Sequence, residues 1–319
     1  MNPEPMIKHA GKPPLALRVA LYILAVIGAL TILIILIGGL AFTIVDRTNG
    51  KLVTSGETRR YLLYVPENID LSQPVPLVIT FHGFAQWPAN QQNVSQWNPI
   101  ADREGFIVVY PSGTKFPRRW HVSTDQTAAL EKDLTFINDL VDELQHKYNI
   151  DPARIYVNGL SKCGGMTFML GCRYSERFAA IGVVGAAFTY PLEQCEPSRP
   201  VPMIAFHGTA DPIVPYYGGP SRSFDIPFPS IPVWMRGVAS LNGCDPTPSL
   251  LPATGAVTGI QYGDCDTGAD VVFYTIDGGG HTWPGGHPLP RQITGKTNTD
   301  ISASETMWSF FKLYTLPQK

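Results

Sequence analysis

"RIYVNGLSKCGGM", residues 154–166, joins an apolar run typical of a buried strand to small residues typical of a tight turn into a helix. A nucleophile at such a turn needs small residues two positions before and after it, because the strained bend leaves little room. Gly159 and Ser161 satisfy this spacing, but Cys163 stands where the second glycine belongs. Two residues further along, Cys163 itself would be the nucleophile, between Ser161 and Gly165. The stretch therefore predicts a catalytic turn with two alternative registers.

Short apolar runs elsewhere in the chain predict further strands. With the run at 154–159, they lie at residues 59–66, 76–83, 106–112, 179–186, 201–208 and 270–277. Helical patterns lie between them. One has a single apolar face made by Leu130, Leu134, Ile137, Val141, Leu144 and Tyr148. Strands that alternate with helices predict an α/β fold, with a mostly parallel sheet and helices on both faces.

A last helical pattern closes the chain. It starts near Asp300, a candidate N-cap, and carries the apolar residues Met307, Phe310, Phe311 and Tyr314. The segment after Asp46 shows no repeat and no low-complexity run, and its length suits one large domain. We therefore expect a single catalytic domain over residues 46–319.

The composition suits a globular protein. The 319 residues are 44% hydrophobic and 16% charged, and the formal net charge is -2. Without a basic excess, the chain lacks the electrostatic footprint of a nucleic-acid-binding protein, so no nucleic acid is expected among its partners.

An uncharged apolar segment, Val19 to Val45, predicts a transmembrane signal-anchor helix at residues 19–45, after a short N-terminal tail at residues 1–18. A helix of this length is about 40 Å long, more than the roughly 30 Å hydrocarbon core of a bilayer. The alternatives are a buried core helix, or a cleaved signal peptide, which would leave a secreted domain. Lys and Arg are nearly balanced on the two sides, so the charge rule leaves the orientation open.

The cysteines favour an orientation. Four of the five form two sequence-local pairs away from the catalytic turn: Cys172 with Cys195, and Cys244 with Cys265. Such pairs suit disulfides in an oxidising compartment, which would place the large domain outside the cytosol. The alternative is a cytosolic domain with unpaired, buried thiols.

Three predicted strands end in residues that together suggest acyl-transfer chemistry. Ser161, Asp211 and His281 follow successive strands, and in a parallel sheet the carboxyl ends of strands meet at one edge. A hydroxyl attacks only when a histidine takes its proton, and that histidine needs a carboxylate on its other nitrogen. The chain order nucleophile, acid, histidine is that of α/β-hydrolases. Asp277 and Asp270 are competing candidates for the acid.

Two backbone amides are candidates for an oxyanion hole. The strand that ends in His82-Gly83 offers the amide of Phe84, and the elbow offers the amide of Lys162. The other histidines show no metal-ligand spacing, so neither a metal nor a cofactor is expected.

Aromatic and polar residues in loops give weaker indications. Trp87, Trp120 and Trp283 fall in loops at the predicted active face, where they could stack on a substrate or cap the core. Asn93 begins a glycosylation sequon, which has meaning only in a eukaryotic secretory route.

Five stretches together resemble one family. They are "FHGFAQ", "ADREGFIVVYPSGT", "YNIDPARIYVNGLS", "FHGTADPIVPYYGG" and "GGGHTWPGG". They are similar to the secreted esterases grouped with polyhydroxybutyrate depolymerases, feruloyl esterases and acetylxylan esterases. The resemblance implies an α/β-hydrolase fold with Ser161 as nucleophile, Asp211 as acid and His281 as base. It also implies an ester substrate, polymeric in several members of the family, and cysteine pairs in places similar to those found here.

Cys163 departs from the family pattern, in which glycine is usual two residues after the nucleophile. Cysteine is small and apolar, so a slightly opened turn is expected. Two alternatives remain open. A shifted elbow with Cys163 as nucleophile resembles the dienelactone hydrolases, and a catalytically silent fold could serve as a binding protein.

The apolar N-terminal segment yields the first testable prediction. Full-length protein should stay with membranes after washing in alkaline carbonate, because a bilayer-spanning helix is held by hydrophobic burial rather than by charge. A soluble product whose N-terminus lies after Gly39 would instead identify a cleaved signal peptide.

Overall fold

The computed structural model describes residues 14–122, 127–221, 223–224 and 227–317. Most of the predicted N-terminal tail, residues 1–13, lies outside this range. The chain divides into two compact units, Met1–Asp46 and Arg47–Lys319. In the first unit, helix α1 spans Leu15–Val45 and so begins slightly before the predicted anchor. Its Leu15–Gly39 portion, with mean hydropathy 3.0, is long and apolar enough to cross a membrane.

The described part of the second unit forms a ten-stranded sheet. The strands are β1 Gly50–Thr54, β2 Glu57–Tyr64, β3 Val75–Phe81, β4 Ile107–Pro111, β5 Ile150–Leu160, β6 Ala180–Val184, β7 Met203–Gly208, β8 Ser249–Thr254, β9 Val257–Tyr262 and β10 Val271–Ile276. Their order across the sheet is β1-β2-β4-β3-β5-β6-β7-β10-β9-β8. The strands from β4 to β10 in this order pair in parallel, and those outside them pair antiparallel.

Helices cover both faces of the sheet. They are α2 Pro88–Ser95, α3 Trp97–Glu104, α4 Thr127–Lys147, α5 Lys162–Arg173, α6 Ile231–Leu241, α7 Arg291–Thr294 and α8 Ala303–Phe311. One apolar core forms beneath α4, α5 and α6, and a second forms beneath α2, α3 and α8. Because strands β3, β4, β6 and β7 are buried along their whole length, the sheet presents two apolar faces.

The predicted fold class is confirmed, and all seven predicted strands are present. Strands β1, β8 and β9 were not predicted. β8 lacks an alternating apolar pattern because five of its six residues are exposed. These strands extend the sheet at its edges, where a strand need not be apolar on both faces.

The two predicted helices are present, with one correction. α4 buries Leu130, Leu134, Ile137, Val141 and Leu144, as the pattern indicated. Asp300 does not cap the last helix: its carboxylate instead accepts hydrogen bonds from the Ala256 amide and the Asn298 side chain. Ser302 is the N-cap of α8, and its hydroxyl accepts from the amide of Glu305.

The outermost strands differ from the interior ones. β8 contains Pro252, and its pairing with β9 shifts register between Leu251 and Thr254. β1, at the opposite edge, is five residues long and carries Lys51. Both edges therefore present short or interrupted rows of backbone hydrogen-bonding groups.

Two disulfides link Cys172 with Cys195 and Cys244 with Cys265, the pairs that were expected. The first ties the end of α5 to the loop before β7, and the second ties the end of α6 to the loop before β10. Cys163 is the free cysteine, and it is buried.

This pairing predicts the result of thiol counting. In the native domain, no cysteine should react with an alkylating reagent. Denaturation should make Cys163 alone reactive, and denaturation with reduction should make all five cysteines reactive. Breaking either disulfide by Cys→Ala substitution should cost roughly 3 kcal/mol of unfolding free energy, since both close loops of similar length. More than one free thiol in the denatured, unreduced protein would contradict the pairing.

Candidate active site

Ser161 occupies a one-residue turn between β5, which ends at Leu160, and α5, which begins at Lys162. Its φ and ψ are 61° and -127°, a strained conformation for a residue other than glycine. The backbone holds this turn firmly. The Ser161 amide donates to Val184 at 2.9 Å, and the Ser161 carbonyl accepts from the amides of Gly164 and Ala187.

Glycines make the close packing around this turn feasible. A Cβ on Gly159 would lie 2.5 Å from the carbonyl oxygen of Cys163, so the first small residue of the elbow is required. On α5, a Cβ on Gly164 would lie 2.6 Å from the Ala186 side chain, and one on Gly165 would lie 2.2 Å from the Ala187 carbonyl. The tight helix contacts thus fall at 164 and 165, and position 163 has room for a thiol.

Cys163 lies in the first turn of α5 and is 1% exposed. Burial raises the pKa of its thiol well above the ordinary value. Reactive cysteines have lowered pKa values and are reachable by substrate. Neither condition is met, so the geometry favours Ser161 over the shifted register.

The structure brings Asp211 and His281 together beside this turn. His281 Nδ1 lies 2.7 Å from Asp211 Oδ2, and both side chains are buried. An ionised carboxylate only accepts hydrogen bonds, so Nδ1 carries the hydrogen and Nε2 keeps its lone pair. Nε2 is buried and has no hydrogen-bond partner among the described residues. This is the arrangement required of a general base.

The Asp211 carboxylate is held ionised by its neighbours. Its Oδ1 accepts from the amides of Ile213 and Val214, each at 2.8 Å. Burial alone would raise the pKa of Asp211, but His281, the neighbouring His207 and the hydrogen bond from the Val214 amide outweigh burial and hold this pKa below its ordinary value. Asp211 therefore stays charged at neutral pH.

The competing carboxylates face elsewhere. Asp277 is exposed and accepts a hydrogen bond from Thr209 Oγ1. Asp270 precedes the amino end of β10, whereas His281 follows its carboxyl end, and its carboxylate accepts from Gln261 Nε2 at 2.6 Å. Neither is placed to hold the imidazole of His281.

The candidate oxyanion donors come from a loop and from a helix N-terminus. Phe84 follows β3, and Lys162 is the first residue of α5, where the helix leaves its initial amides without internal acceptors. Phe84, Lys162, Ser161 and His281 all line one cleft of about 510 Å³. This volume is within the range of small-molecule sites.

The remaining walls of this cleft are mostly apolar. They are formed by Gly83, Ala85, Gln86, Leu160, Ile213, Ser223, Phe224, Leu289, Pro290, Ile293 and Thr294. None of these was predicted as a site residue. Most lie in loops after the strand ends. Gly83, Ala85 and Gln86 belong to the quoted stretch "FHGFAQ", and the sequence signals the others only by their proximity to Ser161, Asp211 or His281.

The three tryptophans do not line the cleft. Trp120 and Trp283 are each 1% exposed. Trp120 packs edge-on against Phe81 and lies under the Arg59 guanidinium, whereas Trp283 donates through Nε1 to Ser304 Oγ. Trp87 precedes α2 and is half-buried. These positions favour the alternative that Trp120 and Trp283 cap the core.

A buried ionic cluster explains why Trp120 is enclosed. Asp133 on α4 accepts from Arg59 on β2 at 2.8 Å and from both the amide and Nδ1 of His121. All three side chains are nearly inaccessible. The cluster fastens the loop after β4 onto the domain and turns Trp120 inward.

Comparison with known proteins agrees with these features. Residues 59–191 match the esterase PHB depolymerase family model. The chain is 28% identical over 283 residues to NocK, a protein named as an esterase, from Nocardia uniformis subsp. tsuyamanensis, and the match covers 82% of each protein. It is 29% identical over 270 residues to feruloyl esterase B of Piromyces equi, a match that covers 81% of this chain and 46% of that longer protein.

Among solved structures, an acetyl xylan esterase from Aspergillus awamori has a similar fold. The TM-score is 0.57 at 20% identity, with 82% of this chain and 98% of that chain covered. The resemblance predicted from the five sequence stretches is confirmed.

The packing around Cys163 yields a prediction that separates the two elbow registers. Cys163→Gly should keep turnover within about threefold of the wild type, because the thiol neither lines the cleft nor bears the tight helix contacts. Stability should fall by about 1–2 kcal/mol, because the variant loses buried sulfur and helix propensity. Cys163→Ala is the matched control for the lost sulfur. A folded but inactive Cys163→Gly protein would contradict Ser161 as nucleophile.

Proposed function

We propose that this chain works as a serine esterase through an acyl-enzyme. It is a carboxylic ester hydrolase, and its residues 59–191 match the esterase PHB depolymerase family model. One observation carries the proposal. A strained Ser161 lines the same cleft as His281, whose Nδ1 is held by a buried carboxylate while its Nε2 has no hydrogen-bond partner among the described residues. Backbone strain and an unpartnered buried nitrogen both cost free energy, which a purely structural site has no reason to retain.

In the first half-reaction, Ser161 Oγ attacks the ester carbonyl carbon while His281 Nε2 takes the hydroxyl proton. Asp211 keeps Nδ1 protonated and stabilises the imidazolium that forms. The amides of Phe84 and Lys162 donate to the negative oxygen of the tetrahedral intermediate. As that intermediate collapses, His281 returns the proton to the leaving alcohol, and the acyl group stays on Ser161.

In the second half-reaction, water repeats the attack. His281 Nε2 takes a proton from the water, whose oxygen bonds to the acyl carbon. The bond to Ser161 Oγ then breaks, and the proton passes to the serine. The carboxylic acid leaves, and Ser161 and His281 return to their initial protonation states.

The cleft supports an apolar acyl group as the bound part of the substrate. Phe84, Ile213 and Phe224 line its walls, with Leu289 from the loop after His281 and Ile293 from α7. The relatives are named for feruloyl and acetyl xylan esters and the family for polyhydroxybutyrate. Esters of these three kinds are the substrates to test first, and a chromogenic ester series would rank acyl length.

We also propose that α1 anchors the domain to a bilayer with the catalytic unit outside the cytosol. The apolar stretch Leu15–Gly39 supports the anchor, and the two disulfides support an oxidising compartment. If α1 were instead removed as a signal peptide, the domain would be secreted.

The triad predicts an ordered set of variant effects. A fluorophosphonate should label the domain at Ser161, and Ser161→Ala should abolish both labelling and turnover. His281→Ala should lower kcat by at least about 10³-fold, because the serine loses its base, and Asp211→Asn by roughly 10²–10⁴-fold through the wrong tautomer. Asp277→Asn is the matched control and should remain near wild type, since that carboxylate contacts Thr209 rather than His281.

The result that would contradict this assignment is a larger loss in Asp277→Asn than in Asp211→Asn. Retained turnover in folded Ser161→Ala would exclude the serine mechanism. A domain that binds esters without hydrolysing them, although correctly folded, would favour the binding-protein alternative.

A further inference from the structure

His82 is a buried histidine that the proposed mechanism does not use. It follows directly after β3, and its side chain is inaccessible to solvent. Both ring nitrogens contact backbone groups. Nδ1 lies 2.8 Å from the carbonyl oxygen of Gly83, and the amide of Gly113 donates to Nε2 at 3.0 Å. His82 therefore connects the loop after β3 to the loop after β4.

These contacts settle the tautomer of His82. A backbone N–H can only donate, so Nε2 is the acceptor and Nδ1 carries the hydrogen. The ring consequently donates to the Gly83 carbonyl. Burial lowers the pKa of His82 to about 4, so the ring is neutral and keeps this arrangement at neutral pH.

The Gly83 carbonyl and the Phe84 amide belong to one peptide plane. In a trans peptide the C=O and N–H bonds point in opposite directions. With the carbonyl directed at the buried imidazole, the Phe84 N–H must point away from it. That other side is the cleft: Gly83 and Phe84 line it, and a Cβ on Gly83 would lie 3.6 Å from the Cβ of Ser161.

Two other contacts hold the loop at atoms outside this peptide plane. The Gly83 amide donates to Gln86 Oε1 at 3.1 Å, and the Ala85 amide donates to the Arg118 carbonyl at 2.9 Å. Gly83 has no side chain to restrict its ψ, so its following peptide could flip and turn the Phe84 N–H away from the cleft. Two contacts oppose that flip at the Gly83 carbonyl: the His82 ring at 2.8 Å and the amide of Gln86 at 3.3 Å. The one from His82 is the shorter, since 3.3 Å lies beyond the usual range of an N–H···O bond.

We propose that His82 is a positioning residue that fixes the Gly83–Phe84 peptide plane and so aims the Phe84 amide at the oxyanion. The proposal rests on the serine esterase mechanism above. A correctly aimed donor acts on the negative oxygen of the tetrahedral intermediate more than on the neutral ester. Loss of His82 should therefore lower kcat and leave KM nearly unchanged.

The test compares two substitutions. Each replaces a buried polar side chain that makes two hydrogen bonds to backbone groups. His82→Leu removes side-chain contacts to the backbone of Gly83 and Gly113. Asn242→Leu removes two contacts to the carbonyls of Val201 and Ala269, at the opposite end of the sheet. Using a p-nitrophenyl ester, we expect His82→Leu to lose about 10²-fold in kcat, the order seen when one oxyanion donor is lost, with KM within about threefold. Asn242→Leu should keep kcat while it lowers the melting temperature.

In a second pair of variants, each variant keeps one of the two hydrogen bonds that His82 makes. In His82→Asn the side-chain amide nitrogen takes the place of Nδ1 and can still donate to Gly83. In His82→Gln the side-chain oxygen takes the place of Nε2 and can still accept from Gly113. We expect His82→Asn to recover more kcat than His82→Gln. Should His82→Leu fail to fold, this pair decides the question.

A trifluoromethyl ketone, which forms an oxyanion adduct on Ser161, gives an independent measurement. Its affinity should fall by the same factor as kcat in the His82 variants. Unchanged ketone affinity, an effect on KM alone, or equal kcat losses in His82→Leu and Asn242→Leu would overturn the proposal, as would greater recovery in His82→Gln. Turnover by Ser161→Ala, measured alongside, would show failure of the serine mechanism instead.

Discussion

The rest of the structure depends on one constraint: α5 packs very closely against β5 and against the loop after β6. Ser161 keeps its positive φ because its backbone is bonded to β6 and to the loop after it, and glycines at 159, 164 and 165 allow that approach. The loop after β6 also leaves space for the His281 side chain. A Cβ on Gly185, itself at φ 51°, would lie 3.1 Å from His281 Nδ1. The proposed nucleophile and the proposed base thus lie in one closely packed region.

The charged groups of the site are separated from those of the scaffold. One oxygen of Asp211 accepts from His281 and the other accepts from two amides of its own loop, so the same carboxylate shapes the turn after β7 and orients the His281 ring. His207, also buried, contacts the Val214 carbonyl and steadies that turn. The cluster of Arg59, Asp133 and His121 likewise holds the loop after β4 in place. None of these three residues lines the cleft.

Local patterns in the sequence predicted the sheet interior and the three residues that the structure gathers at its edge. Strand identity, chain order and the glycine runs are local signals. The positions of the tryptophans were not predictable in this way: Trp120 is enclosed because Arg59 and Asp133 come from distant elements. The cap of α8 was misassigned for a similar reason, since Asp300 bonds to the distant Ala256 amide. The role of His82 depends on Gly113, a contact between two loops that no spacing reveals.

The interrupted edges of the sheet bear on how copies of the domain behave when they are concentrated. A long unpaired edge is a template for intermolecular sheet growth, the route by which β-rich proteins aggregate. Pro252 cannot donate to a neighbouring strand, and the register shift beside it breaks the regular row of acceptors. At the other edge, a short strand with Lys51 adds charge repulsion between like surfaces. Domains crowded at a surface would therefore meet more often, but their sheet edges would not present a continuous row of hydrogen-bonding groups on which another strand could add.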